Sequence, residues 1–191
     1  MNVALRTPMT REEFFDWAAS KPGRYEFDGH EPVIVTGGTN NHGRIARNLL
    51  VQLHLRLQGG PCEVFGSDSG GVATTGDKVR YPEAAVTRTT TPGSDRLVPD
   101  PIVVFEVVSP SSVHIDHVQK LREYHAVPSI RCYVLIEQDG IAVAVHRRQG
   151  PEPWITVPLL EGDTLDLPEI GVGLPLALLY QDVTFDLLPV E

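Results

Sequence analysis

The chain has 191 residues, of which 41% are apolar, and a formal net charge of −9 at pH 7. Its length fits one domain, its apolar share suffices for a core, and no run approaches the about 18 consecutive apolar residues of a membrane-spanning helix. The acidic balance excludes a uniformly basic, non-specific nucleic-acid binder but leaves room for a local groove.

In chain order, Thr10 followed by Glu13 has the form of a capping box and predicts a short helix from Arg11 to Ala19, ended by Lys21-Pro22-Gly23. Arg24 to Phe27 and Val33 to Val35 read as two strands around the Asp28-Gly29 turn. From Asn41 to Gln58, apolar residues recur every fourth position (Ile45, Leu49, Leu53, Leu57), which predicts the clearest helix, stopped by Gly59-Gly60-Pro61. Strands are expected at Cys62 to Phe65, Gly71 to Thr74 and Val79 to Val86, with Gly76-Asp77 as a turn.

Thr87 to Pro101 is polar and turn-rich, as a loop would be. Ile102 to Val108 is a nearly continuous apolar run, the pattern of a central strand buried on both faces. Ser112 is placed to cap a helix over Val113 to Ala126. Arg131 to Glu137 and Ile141 to Arg147, joined through Asp139-Gly140, form a predicted hairpin. The tail alternates apolar and polar residues, carries a short apolar stretch at Leu174 to Tyr180 and is expected to pack back onto the rest. The whole chain, 1–191, reads as a single domain.

Glu106 lies inside the Ile102–Val108 run. An unpaired buried carboxylate costs several kcal/mol, so a cation, a metal or a raised pKa must compensate, unless the residue reaches water or an Arg. Glu83 follows Tyr81-Pro82, and a proline within a strand implies an edge or bulge that can aim the next side chain at a cleft; read alone, it is a solvated edge carboxylate. Asp116 and Lys120, four apart, share a face of the predicted helix, as a surface ion pair or, nearer Glu106, as helpers to chemistry. Glu26, between Tyr25 and Phe27, falls on the polar side of its strand.

Seven histidines raise a zinc alternative through His114, His117 and His125, but no HExxH or CxxC frames them, and solvated helix histidines are the simpler account. His42 borders the long helix. Cys62 and Cys132 lack paired spacing and are expected as free thiols of a reducing cytoplasm. No signal-peptide apolar region precedes Thr10. Phosphate-binding glycine loops and the GxSxG elbow are absent, which removes the best support for nucleotide-driven and serine-hydrolase chemistry.

Several short segments, in order, resemble the Uma-two family of restriction-endonuclease-like proteins, within the PD-(D/E)XK nuclease superfamily. They are Tyr25-Glu26-Phe27-Asp28-Gly29, His42-Gly43-Arg44-Ile45, Val64-Phe65-Gly66-Ser67-Asp68, Arg80-Tyr81-Pro82-Glu83 and Phe105-Glu106-Val107-Val108-Ser109-Pro110-Ser111. Asp116, Lys120, Leu121 and Tyr124 follow, then Pro128-Ser129-Ile130-Arg131 with Tyr133-Val134-Leu135-Ile136. The likeness spans about residues 9 to 185.

The resemblance implies an α/β, restriction-endonuclease-like fold, with a four- or five-stranded mixed sheet flanked by helices. It implies Mg²⁺, with Mn²⁺ as a substitute, held by Glu83 and Glu106. The lysine that the superfamily name places two residues beyond the second carboxylate is Val108 here, and Lys120 from the next helix takes its part. Glu26 matches an acidic residue near the site, and Asp116 would orient Lys120. The family has Asp where this chain has Glu83, a carboxylate on an arm one methylene longer. The implied activity is endonucleolytic hydrolysis of phosphodiesters, with DNA as partner and a homodimer as the arrangement for cutting two strands. A catalytically weakened member, binding nucleic acid or protein, is the alternative.

Overall fold

The computed structural model describes residues 9–35, 37–109, 115–150 and 153–185, with backbone alone for residues 115–117. In chain order its elements are α1 (Arg11–Ala18), β1 (Arg24–Phe27), β2 (Pro32–Val35), α2 (Asn40–Leu57), β3 (Glu63–Gly66), β4 (Val72–Ala73), β5 (Val79–Arg80), β6 (Ala84–Thr87) and β7 (Val103–Val108). A π-helical stretch, Ile115–Lys120, runs into α3 (Leu121–His125), followed by β8 (Cys132–Glu137), β9 (Ala142–Arg147), β10 (Ile155–Leu160), β11 (Thr164–Leu167), β12 (Val172–Pro175) and α4 (Leu176–Leu179).

The main sheet has six strands in the order β10-β9-β8-β7-β6-β3. Only β7 and β8 run parallel, joined across the α3 region; the other pairs are antiparallel. A second, antiparallel sheet has the order β2-β1-β5-β4, and β11 pairs with β12 as a hairpin. The main sheet is thus wider than the four or five strands expected, because β10 extends the β8–β9 hairpin.

Strand periodicity divides β7 into two faces. Val103, Phe105 and Val107 join the core formed with Ile45, Leu49 and Leu53 of α2 and with the β11–β12–α4 tail. Val104 and Val108 face the other way, towards Tyr124 of α3, Ile130, Tyr133 and Leu135. Glu106 shares that second parity. A third cluster, Phe14, Phe27 and Val79, fastens α1 to the smaller sheet, with the Phe14 and Phe27 rings stacked at 5.1 Å. Thr10 and Glu13 close the reciprocal capping box at the start of α1.

Two expectations need correction. The strand read from Val79 to Val86 is broken at Tyr81-Pro82-Glu83, and its halves belong to different sheets: β5 pairs with β1 and β4, while β6 pairs with β3 and β7. Proline supplies no N–H to a ladder and marks where the chain leaves one sheet for the other. The helix expected over Val113 to Ala126 is π-helical from Ile115 to Lys120 before α3 begins, so its hydrogen-bond ladder is wider than the α-helical one. The proposed Ser112 cap, His114 and the side chains of Asp116 and His117 lie outside the described residues. Among those described, no helix is long and apolar enough to cross a membrane.

Candidate active site

Glu106 is 3% exposed. Its Oε1 accepts hydrogen bonds from the Lys120 ammonium at 2.9 Å and from the Tyr124 hydroxyl at 2.9 Å. Both donors come from the helical segment that covers this face of β7, so the compensating cation that burial demands is Lys120. Tyr124 is fully buried, and its hydroxyl is held well above the ordinary phenol range, first by burial and then by the Glu106 charge.

Glu83 occupies the three-residue link between β5 and β6. The β6–β7 register pairs Ala84 with Phe105, so the next step out brings Glu83 to Glu106. Glu83 Oε2 accepts from the Val107 backbone N–H at 3.0 Å, and Oε1 lies 3.3 Å from His42 Nε2. The register and the shared cleft bring the Glu83 carboxyl to the side of Glu106. Burial pushes the Glu83 carboxyl up, but His42, the Val107 N–H and Glu106 together outweigh it and hold it below the usual range. Glu83 is therefore no solvated edge residue: its side chain is 13% exposed.

Glu26, on the polar side of β1, is buried as well. Its Oε1 lies 3.4 Å from Lys120 Nζ and accepts from the Tyr81 N–H at 3.3 Å, and its Oε2 accepts from Arg80 at 2.9 Å. Arg80 turns its other donors onto Glu123, with Nε to Oε2 at 2.7 Å and a terminal N–H to Oε1 at 2.8 Å. Lys78 and Gln119 complete the Glu123 shell at 2.7 and 3.1 Å. Burial raises the Glu123 carboxyl, but Arg80 and Lys78 overcome it and bring it down to about 2. The residues that sequence reasoning missed are Tyr124 as a ligand of Glu106, and Arg80 with Glu123. The available signals were a basic residue beside buried Val79 and a carboxylate three positions after Lys120.

These groups line a cleft of 460 Å³. Glu26, Glu83, Glu106 and Lys120 form its polar floor, Val33, Ile34 and Val35 of β2 one apolar wall, and His42 and Gly43 of α2 another side. Thr39 caps α2 by accepting from the His42 N–H, which sets the first turn beside the floor. Two carboxylates on one cleft floor, Glu83 and Glu106, are a place where a cation can be held. A hard divalent ion that keeps most of its water needs one or two carboxylates, and Glu83 beside Glu106 fits that requirement. Zinc needs three or four convergent ligands. Among the described residues no three His, Cys, Asp or Glu side chains are grouped to provide them. His125 of the zinc alternative is instead stacked on Trp154 at 3.8 Å, and burial, then His146 and Arg148, lower it to about 4. Cys62 and Cys132 are free.

A mixed sheet flanked by helices, with a polar cleft where a strand and the link into its neighbour present carboxylates, defines the class as restriction-endonuclease-like. The crystal structure of "a putative nuclease belonging to DUF820" from Anabaena variabilis has the same fold: TM-score 0.69, 16% identity, covering 91% of this chain and 98% of that one. The chain belongs to the Uma2 family, described as "Putative restriction endonuclease", whose model matches residues 11–178. Two uncharacterized proteins of Synechocystis sp. are similar over most of their length. One is 24% identical over 178 residues, covering 93% of this chain and 94% of its own; the other is 27% identical over 163 residues, covering 84% and 92%.

Proposed function

We propose that the cleft is the active site of a metal-dependent endonuclease that hydrolyses phosphodiester bonds of DNA. The observation that carries this reading is that Glu83, just before β6, and Glu106 of β7 lie side by side on the floor of one cleft, with the Lys120 ammonium 2.9 Å from Glu106. Glu83 and Glu106 would hold Mg²⁺, or Mn²⁺ in its place, which when bound supplies Lewis acidity to a phosphate oxygen and to a water. Lys120 offers a positive charge to the phosphate as negative charge builds on it. Tyr124 and Lys120 keep Glu106 oriented, and Glu26 balances Lys120 from the other side. The family name supports nuclease chemistry; the metal, the DNA substrate and pairing of two copies to cut both strands are our assignments.

The test is cleavage of plasmid and of single-stranded DNA with Mg²⁺ or Mn²⁺, beside Glu106→Ala and Lys120→Ala. Metal-dependent cutting that disappears in both variants is the expected result. Absence of cutting by the parent under every condition would sink the catalytic reading. One observation favours the second reading, a weakened enzyme that binds rather than cuts: Glu83 stands where the resembled pattern has Asp. Glu83→Asp that restores cutting would trace the weakness to that methylene.

A further inference from the structure

We infer that Arg80 and Glu123 are positioning residues that fix Lys120 in the cleft; this rests on the active-site reading above. The problem they solve is geometric. Val108 occupies the strand position two beyond Glu106, and the lysine arrives instead from a helical segment. That segment is π-helical through Lys120 before α3 begins, so the ordinary i to i−4 ladder does not set the height or rotation of this side chain.

The smaller sheet provides the constraint. The Arg80 guanidinium, 4% exposed, donates to Glu26 with one terminal nitrogen and to Glu123 with its Nε and its other terminal nitrogen. Glu123 lies one turn beyond Lys120, so Arg80 ties down the helix that carries the lysine. Glu26 lies 3.4 Å from Lys120 Nζ, so the same guanidinium also aims the carboxylate beside the ammonium. One planar fork thereby sets both the backbone and the head group of Lys120. Lysine has three donors on one rotating nitrogen and no rigid planar fork, so it cannot hold both partners in this fixed geometry. A misplacement of about 1 Å at a reacting group can cost about 100-fold in rate, which makes such a clamp worth its buried charges.

Two substitutions read it out: Glu123→Gln and Arg80→Lys. The chain has lysines only at 21, 78 and 120, so ¹⁵N-lysine labelling gives a simple ammonium spectrum, with Lys120 assigned by its loss in Lys120→Arg. The expected result is a Lys120 ammonium resonance that shifts or broadens away in both variants while the backbone spectrum stays folded. In cleavage assays the expected loss is about 100-fold in kcat, with KM and divalent-metal affinity unchanged. Failure of Arg80→Lys to rescue then separates fork geometry from charge alone. A merely structural role would lower the unfolding temperature and leave the Lys120 signal and the kcat of folded molecules intact; that outcome overturns the clamp. Should both buried substitutions prevent folding, Lys78→Gln removes a more exposed partner of Glu123 and is expected to move the Lys120 signal in the same direction; an unmoved signal overturns the inference. A parent that does not cut, yet shows the NMR coupling, would refute the nuclease reading and leave the clamp standing.

Discussion

The two faces of β7 are built on opposite principles. On one, Val103, Phe105 and Val107 meet α2 and the C-terminal hairpin in a wholly apolar core. On the other, Glu106 sits between Val104 and Val108 under a helical segment that delivers Lys120 and Tyr124. The first face holds the sheet by burying area, a non-directional gain that tolerates exchange of similar volumes. The second is held by directional bonds among charges that would each be costly alone. Stability and chemistry are thus assigned to residues one position apart on the same strand.

Breaking the polar face gives the largest expected effects. Lys120→Met should lower DNA cleavage by roughly 100–1,000-fold and, by leaving Glu106 buried without its cation, destabilise by about 3–5 kcal/mol. Urea unfolding and cleavage rates measured on one preparation check both. Breaking the apolar face should uncouple them: Leu53→Ala is expected to cost roughly 2–5 kcal/mol while folded molecules keep the parent's rate. A Leu53→Ala variant that lost cutting at full folding would erase the distinction.

Acid sharpens the contrast. Glu123 has its carboxyl at about 2 in the fold, against 4.5 unperturbed. A depressed carboxylate contributes stability that is fully present above the unperturbed value and is lost as pH falls from 4.5 towards 2; at 1.36 kcal/mol per unit this is about 3 kcal/mol. His125, lowered from 6.5 to about 4 by burial, His146 and Arg148, favours its neutral form in the fold, so its contribution is lost earlier, from pH 6.5 down to 4. Stability against pH should therefore fall in two stages, with Glu123→Gln flattening the lower and His125→Gln the upper. Curves that remain parallel to the parent's would contradict these origins. The smallest effect is expected from Tyr124→Phe, which removes one bond to a charged carboxylate and should cost about 2 kcal/mol in unfolding free energy.

The apolar face could be read almost entirely from the sequence. The four-residue recurrence at Ile45, Leu49, Leu53 and Leu57 and the apolar run to Val108 depend on local periodicity, and both elements form within a residue of expectation. Glu106 stood out for the same reason, a lone carboxylate in an apolar run. What could not be read is pairing across long separations. Arg80 meets residues 54 and 43 positions away, and no period marks such partners. The break at Pro82 was misread because each half has strand composition, and composition does not say which sheet a strand joins. Asp116, named with Lys120 from four-residue spacing, has its side chain outside the described residues.

That break ties the two sheets by covalent geometry. Arg80 ends β5 and Glu83 precedes β6, with only Tyr81 and Pro82 between them. The group that grips the lysine-bearing helix and the group that meets Glu106 are therefore leashed by three peptide bonds. One extra residue at this point would let the sheets drift out of step while each stayed intact. For anyone grafting or circularly permuting this scaffold, residues 80–83 are the span to leave uncut.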